Sequence, residues 1–317
     1  MTTTAAASPT VGASVPGVDL LDLLRSYELS LRAGNKAPRT LEVYSDSIHQ
    51  FVAFLRRVGA PTDATRVSRE HVELFESDLF AQGRKPATVS VRHRALFSFF
   101  KWAESEREVT ANPMASMPPP IVPEQPVPVP HQDDLRRLLA ACDGQSFEQT
   151  RDAALLRLLI DTGLRASECI DLRVGDVDIY SRDRGASATV VGKGRRPRTV
   201  PVGVKAARSI DKYLRARSRH PQAASDFLWI GSKGKLTTSG LRQMLERRCD
   251  QAGIKRIHAH QLRHHFAHSW LLQAGAESEL MALTGWKSRA MLSRYAASTI
   301  SERAAESHRR LSPSDKL

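Results

Sequence analysis

Residues 113–130 read PMASMPPPIVPEQPVPVP and carry eight of the chain's 17 prolines. Proline has no N–H and cannot continue a helix, and clustered prolines favour extended polyproline geometry. The stretch predicts a linker, residues 113–131, between two folded domains. On its amino side, residues 18–112, apolar side chains step by three and four. Leu41, Tyr44, Ile48, Phe51 and Leu55 share one helical face, as do Val72, Phe75 and Leu79, and again Val91, Ala95, Phe99 and Trp102. Thr40 and Ser68 are the expected N-caps, and Gly59 and Gly83 the expected stops. With an earlier helix over 19–32, this half predicts a bundle of about four helices. Residues 1–17, rich in Thr, Ala, Ser, Gly and Pro, read as a disordered tail.

On the carboxyl side, residues 132–317, the pattern is mixed. Helices are expected over 133–142 and over 152–161, where Leu155, Leu156, Leu158, Leu159 and Ile160 leave little polar face. A strand is expected over 174–179. Residues 189–191 and 199–202 flank the turn Gly192-Lys193-Gly194-Arg195-Arg196-Pro197 as a hairpin. Helical patterns return over 205–217, 239–252, 260–273 and 277–283. The fold class is therefore mainly α with a small antiparallel β-sheet, not a doubly wound α/β domain.

Composition narrows the function. The 317 residues hold 47 Lys and Arg against 34 Asp and Glu, a formal net charge of +13. Such an excess points to a polyanionic partner, most often nucleic acid. No apolar run approaches the roughly 18–20 residues of a membrane span. Residues 1–17 carry no charge, so they lack the basic region of a secretory signal. Cys142, Cys169 and Cys249 have neither paired nor metal-ligand spacing. A soluble, cytoplasmic protein is expected, with no disulfide scaffold and no membrane partner.

Four motifs carry chemistry. In Thr162-Gly163-Leu164-Arg165-Ala166-Ser167-Glu168, Arg165 follows a helix end and suits a two-pronged grip on a phosphate. Lys193 lies in a glycine-flanked hairpin turn among Arg195, Arg196 and Arg198, where an ammonium can reach into a groove. In HAHQLRHHFAH, residues 258–268, His260 and Arg263 share a face at a helix start, while Phe266, Trp270 and Leu271 face inward. Its histidines have i, i+4 spacings that zinc sites use. The segment lacks the Glu of an H-E-x-x-H arrangement, however, and Arg263 would stand beside the cation, so no metal is expected. The fourth motif is Gly285-Trp286, followed by Tyr295. There is no G-x-x-x-x-G-K-[ST] loop and no carboxylate cluster suited to Mg²⁺, so no cofactor is expected either.

In order and spacing, TGLRASE, VGKG, HQLRHHFAH and LTGWKSRAMLSRY resemble the boxes of the tyrosine recombinase (phage integrase) family, over roughly residues 18–310. The resemblance implies an N-terminal helical, SAM-like core-binding domain and a C-terminal catalytic domain that clamp duplex DNA. It implies that Arg165 and Arg263 bind the non-bridging oxygens of the scissile phosphate, and that Lys193 protonates the leaving 5′ oxygen. His260 would assist proton transfer, Glu168 would organise Arg165 and His260 from behind, and Tyr295 would form a 3′-phosphotyrosyl bond. Trp286 stands where many members have His. Its indole offers one N–H and a packing surface but cannot shuttle a proton. Residues 296–311 form a potential helix which in the family docks on a neighbouring protomer, implying a homo-tetramer on paired, nucleoid-borne DNA sites. A separate arm-binding domain is not expected. The readings weighed against a site-specific recombinase are a type IB topoisomerase-like relaxing enzyme and a catalytically silent DNA-binding regulator.

Overall fold

The computed structural model describes residues 17–123, 128–181, 183, 185–192, 197–288, 291, 292, 304, 305, 308, 309, 312 and 314. The expected tail, apart from Gly17, lies outside them, as do Lys193 and Tyr295. Of the expected helix over 296–311, Ala304, Ala305, His308 and Arg309 are described; they are helical and exposed. The chain divides into two compact units, Met1–Glu124 and Gln125–Leu317.

In the first unit the helices are α1 (Leu20–Ala33), α2 (Pro38–Arg57), α3 (Arg69–Ala81) and α4 (Pro86–Ser105). Local chemistry sets their ends. Asp19 accepts the Leu21 N–H at 2.8 Å and the Thr62 hydroxyl at 2.6 Å, fixing the start of α1. Ser68 precedes α3, its N–H donating to His71 Nδ1 at 3.0 Å. Thr40, by contrast, lies inside the first turn of α2. Pro38 occupies the first helical position, where a missing N–H costs nothing, so the helix starts before the threonine. Beyond α2 and α3, Gly59 and Gly83 take left-handed φ values of 69° and 74° that few other residues tolerate. Aromatic rings fill the core: Phe51 meets Phe75 at 5.3 Å and Tyr27 meets Phe99 at 5.4 Å, both edge to face.

The second unit is built around a buried helix. Its elements are α5 (Gln132–Ala140), α6 (Phe147–Thr162), α7 (Ala166–Ile170), β1 (Val177–Asp178), β2 (Ser187–Val191), β3 (Pro197–Pro201), α8 (Val204–Arg217), β4 (Ile230–Gly231), β5 (Gly234–Lys235), α9 (Thr238–Ala252), α10 (Ala259–Leu272) and α11 (Glu277–Thr284). The mainly α architecture with small antiparallel sheets is as expected from sequence. Helix α6 packs on α8 and α10, and Leu155, Leu156, Leu158 and Leu159 are fully enclosed. It starts five residues before the expected Asp152, because Ser146 and Gln149 cap it reciprocally.

Strands β1, β2 and β3 form one antiparallel sheet, with Thr189 opposite Thr199. The expected strand over 174–179 is mostly absent. Residues Val174–Asp176 form a 3₁₀ turn and only Val177–Asp178 pair. Two aspartates outcompete the ladder there. Asp176 accepts the Arg173 N–H at 2.8 Å, and Asp178 accepts the N–H groups of Tyr180 and Ser181. Leu271 is enclosed as expected, whereas Phe266 and Trp270 are half-buried at the edge of a small cluster with Ala267, Leu280 and Trp286.

One carboxylate ties this unit together. Asp152, fully buried in α6, accepts two bonds from Arg151 (3.0 and 2.7 Å) and two from Arg248 of α9 (3.0 and 2.8 Å). The same guanidinium groups donate onward to the Ile230 and Ala141 carbonyls. Asp152→Ala leaves two buried cations uncompensated and should cost the second unit about 3–5 kcal/mol. Urea unfolding followed by circular dichroism measures this, and a loss below about 1 kcal/mol would show that the cluster is not a buried ion network.

Candidate active site

The site forms where α6 ends. Gly163 closes the helix in the left-handed conformation, φ 58°, and a Cβ there would lie 2.4 Å from the Phe266 ring. Only glycine therefore lets the chain turn against α10. The freed Gly163 carbonyl accepts from Arg263 Nη1 at 2.7 Å. Leu164 is buried, and Arg165 is the residue that caps the start of α7.

Glu168 lies three residues on, one turn of α7 away, and reaches back to Arg165. Its Oε2 accepts the Arg165 backbone N–H at 3.0 Å, and its Oε1 accepts Arg165 Nη1 at 2.7 Å. Both oxygens also accept from Arg198 of β3, Nη1 at 3.0 Å and Nη2 at 2.7 Å. Burial alone would raise the Glu168 carboxyl above its ordinary value. The bonds from Arg198, then those from Arg165, outweigh it and hold the group down at about 2.

The two arginines singled out in the sequence converge on one atom. The Thr284 carbonyl, at the end of α11, accepts Arg263 Nη2 at 2.8 Å and makes a longer 3.5 Å contact with Arg165 Nη1. Arg165 keeps a third of its side chain exposed, whereas Arg263 is almost fully enclosed. Gly285 ends α11 with φ 68°, and the Trp286 N–H returns to the Met281 carbonyl at 3.0 Å. This turn lays the buried indole against Arg263, whose guanidinium carbon is 5.2 Å from the ring centre.

His260 sits in the first turn of α10. The helix start is set by His258 and Gln261, whose Oε1 accepts the His258 N–H at 2.9 Å while its Nε2 reaches the Pro128 carbonyl at 3.3 Å. Packing around the imidazole, and then the charges of Arg263 and Arg165, hold His260 below its ordinary value although the residue as a whole remains exposed. His264 packs edge-on to it at 4.6 Å and is pushed down to about 4, chiefly by burial and then by His260 and Arg263. Among the described residues, no group of three or more His, Cys, Asp and Glu side chains is arranged to hold a metal ion.

Arg165, Glu168, Arg263 and Trp286 are thus brought together, with His260 within their electrostatic reach. Arg198 was read from the sequence only as charge around the hairpin turn. Strand alternation could have singled it out. Val200 and Val202 face the core, and Arg198 lies on the same face two residues earlier. An arginine on an inward face needs a buried partner, which Glu168 supplies.

Comparison with known proteins identifies the family. The phage integrase family model matches residues 129–302, and the N-terminal SAM-like domain model of phage integrases matches 23–108. Tyrosine recombinase XerC of Oceanobacillus iheyensis is 32% identical over 252 residues, covering 77% of this chain and 80% of the relative. Tyrosine recombinase XerD of Listeria monocytogenes is 28% identical over 243 residues, covering 75% and 80%. In fold, the chain resembles the XerH recombinase in a post-cleavage complex with palindromic difH substrate, with TM-score 0.71, 18% identity, and 90% and 83% of the two chains covered. It also resembles the lambda integrase tetramer bound to a Holliday junction, with TM-score 0.67, 17% identity, and 89% and 78% covered. The chain belongs to the phage integrase family of tyrosine recombinases.

The carboxylate makes a pH prediction. The folded value of Glu168, about 2, lies below the ordinary 4.5, so its stabilisation is complete above pH 4.5 and is lost as pH falls toward 2. At neutral pH it is worth on the order of 3 kcal/mol. Glu168→Gln should therefore be less stable than the wild type at pH 7, with the gap narrowing as the pH is lowered. Denaturant midpoints across that range check it; a gap independent of pH would mean that Glu168 is not ionised by its arginine partners.

Proposed function

We propose that this chain is a site-specific recombinase that cuts and rejoins duplex DNA through a 3′-phosphotyrosyl intermediate on Tyr295. The observation that carries the reading is the meeting of Arg165 and Arg263 at the Thr284 carbonyl, which places two fixed guanidinium groups side by side. In-line attack on a phosphodiester gathers negative charge on the non-bridging oxygens, and paired guanidinium groups stabilise that charge without reorganising.

The remaining roles follow from what the reaction must balance. The Tyr295 hydroxyl attacks phosphorus, forming the new ester as the P–O5′ bond breaks. A phenol titrates near 10, so its proton needs an acceptor. A depressed His260 is neutral at physiological pH and can take it. The departing 5′ alkoxide is strongly basic, and Lys193 supplies its proton. Trp286 has no proton to exchange in this cycle; its buried face backs Arg263 instead. The phosphotyrosyl ester retains the energy of the phosphodiester, so rejoining is the same exchange in reverse with a new 5′ hydroxyl. Recombining two duplexes means cutting four strands with one nucleophile each, so this reading implies a homo-tetramer on paired sites. The chain would work in the cytoplasm on nucleoid DNA; among the described residues, no helix is long and apolar enough to cross a membrane.

Two substitutions test the assignment. Tyr295→Phe removes only the attacking oxygen, so DNA binding should persist while covalent adduct on a nicked duplex disappears from denaturing gels. Undiminished adduct would assign the attack to another residue. Lys193→Ala should slow cleavage by roughly 10²–10⁴-fold, the usual worth of a general acid. Replacing the 5′ bridging oxygen by sulfur gives a leaving group that needs no proton, and should bring Lys193→Ala back near the wild-type rate without rescuing Arg165→Ala. Failure of that rescue would remove Lys193 as the acid.

A further inference from the structure

Among the described residues, three parts of the site meet on Arg198. It is the second residue of β3, just after the turn that carries Lys193. Its Nε donates to the Leu283 carbonyl at 2.9 Å, at the end of α11, while Nη1 and Nη2 take both oxygens of Glu168. The chain is pared down to admit it: a Cβ on Gly285 would lie 3.2 Å from Arg198 Nη1, closer than most Cβ atoms come to a neighbour. Only 15% of the side chain is exposed.

The charges explain why such a group is needed. Glu168 orients Arg165 through two hydrogen bonds, but an ionised carboxylate 2.7 Å from a guanidinium also cancels its charge. A neutral Arg165–Glu168 pair would offer a phosphate little attraction. Arg198 makes the cluster Arg165–Glu168–Arg198 net positive again, and its two bonds fall on the same two oxygens that accept from Arg165. Close to an enclosed carboxylate such a charge acts with little solvent screening.

We propose that Arg198 is a positioning residue for strand cleavage: it offsets the charge of Glu168 so that Arg165, although held by that carboxylate, still acts on the scissile phosphate as a cation. The same side chain joins β3 to α7 and to the α11 end. This inference rests on the reading of Arg165 as a phosphate ligand.

The experiment uses the full chain and a nicked duplex that the wild-type protein selects from a randomised library. Single-turnover adduct formation, DNA affinity by gel shift and thermal unfolding are measured for R165A, R198Q, R198K and the double variant E168Q/R198Q. R198Q should slow adduct formation by about 10²-fold, the order of one lost transition-state donor. Its DNA affinity should stay within about threefold, because one partly enclosed charge contributes little to a large phosphate interface. R198K keeps the charge but not the fork and should stay within about tenfold of the wild type. The double variant removes one negative and one positive charge together and should recover at least about tenfold over R198Q, which a purely structural staple would not allow. An R198Q rate within about threefold of the wild type, R198K as slow as R198Q, or a double variant no faster than R198Q would each overturn the proposal. Undiminished adduct with R165A would instead overturn the phosphate-ligand reading, and this inference with it.

Discussion

The buried carboxylate of Glu168 is the constraint around which the candidate active site is arranged. Four donors saturate its two oxygens: one backbone N–H, one nitrogen of Arg165 and two of Arg198. An ionised group enclosed to this extent is tolerated only when its lone pairs are filled and its charge is matched. Those requirements dictate the surroundings. They make Arg165 the cap of α7, three residues before Glu168, they bring β3 across so that Arg198 can fork onto it, and they require a glycine at 285 where the α11 end passes over that fork.

The same logic runs through the interior and changes the meaning of the +13 charge. Asp152 holds Arg151 and Arg248 inside the core by the same fully paired geometry. Arg217 goes further and uses no carboxylate. Its guanidinium donates to the carbonyls of Ala223, Ser225, Phe227 and Leu228, so the loop after α8 folds around one cation. A planar group with five donors suits this task better than an ammonium, which presents a compact point charge. A share of the arginines therefore serves as internal ties, and the positive excess read from composition is not all available to a polyanion.

That distinction marks how far the sequence could be read. The helices with apolar faces, the hairpin around Lys193 and the two-part organisation follow from local rules of periodicity, proline and glycine. Arg165, His260 and Arg263 are legible because each sits near a helix boundary with a recognisable spacing, whereas Glu168 is legible only through the family resemblance. The 3₁₀ turn at Val174–Asp176 was not, since β-branched residues advertise a strand while the Asp176 and Asp178 side chains capture the backbone. Nor was the hairpin of β4 and β5, two residues per strand and too short for a period to register. The convergence on the Thr284 carbonyl is least accessible of all, because it depends on a backbone atom of a helix end more than a hundred residues beyond Arg165 in sequence.

On the proposed reading, the site must also reconcile two opposite demands. A phosphate needs fixed positive charge, whereas a proton acceptor for a phenol must be neutral when the reaction starts. Around His260 the two are satisfied together. Its partial enclosure makes the charged imidazole unfavourable, and the charges of Arg263 and Arg165 add to that cost. His264, packed against it and pushed down to about 4, contributes no competing charge at neutral pH. Once a phosphate sits between the guanidinium groups, it offsets the repulsion that they exert on a protonated His260. On the reading proposed above, such a phosphate would relieve the part of the His260 shift that comes from the arginines, while the larger part, from burial, would remain. On that reading the two guanidinium groups proposed to hold the phosphate also help to keep the proposed proton acceptor neutral before the reaction.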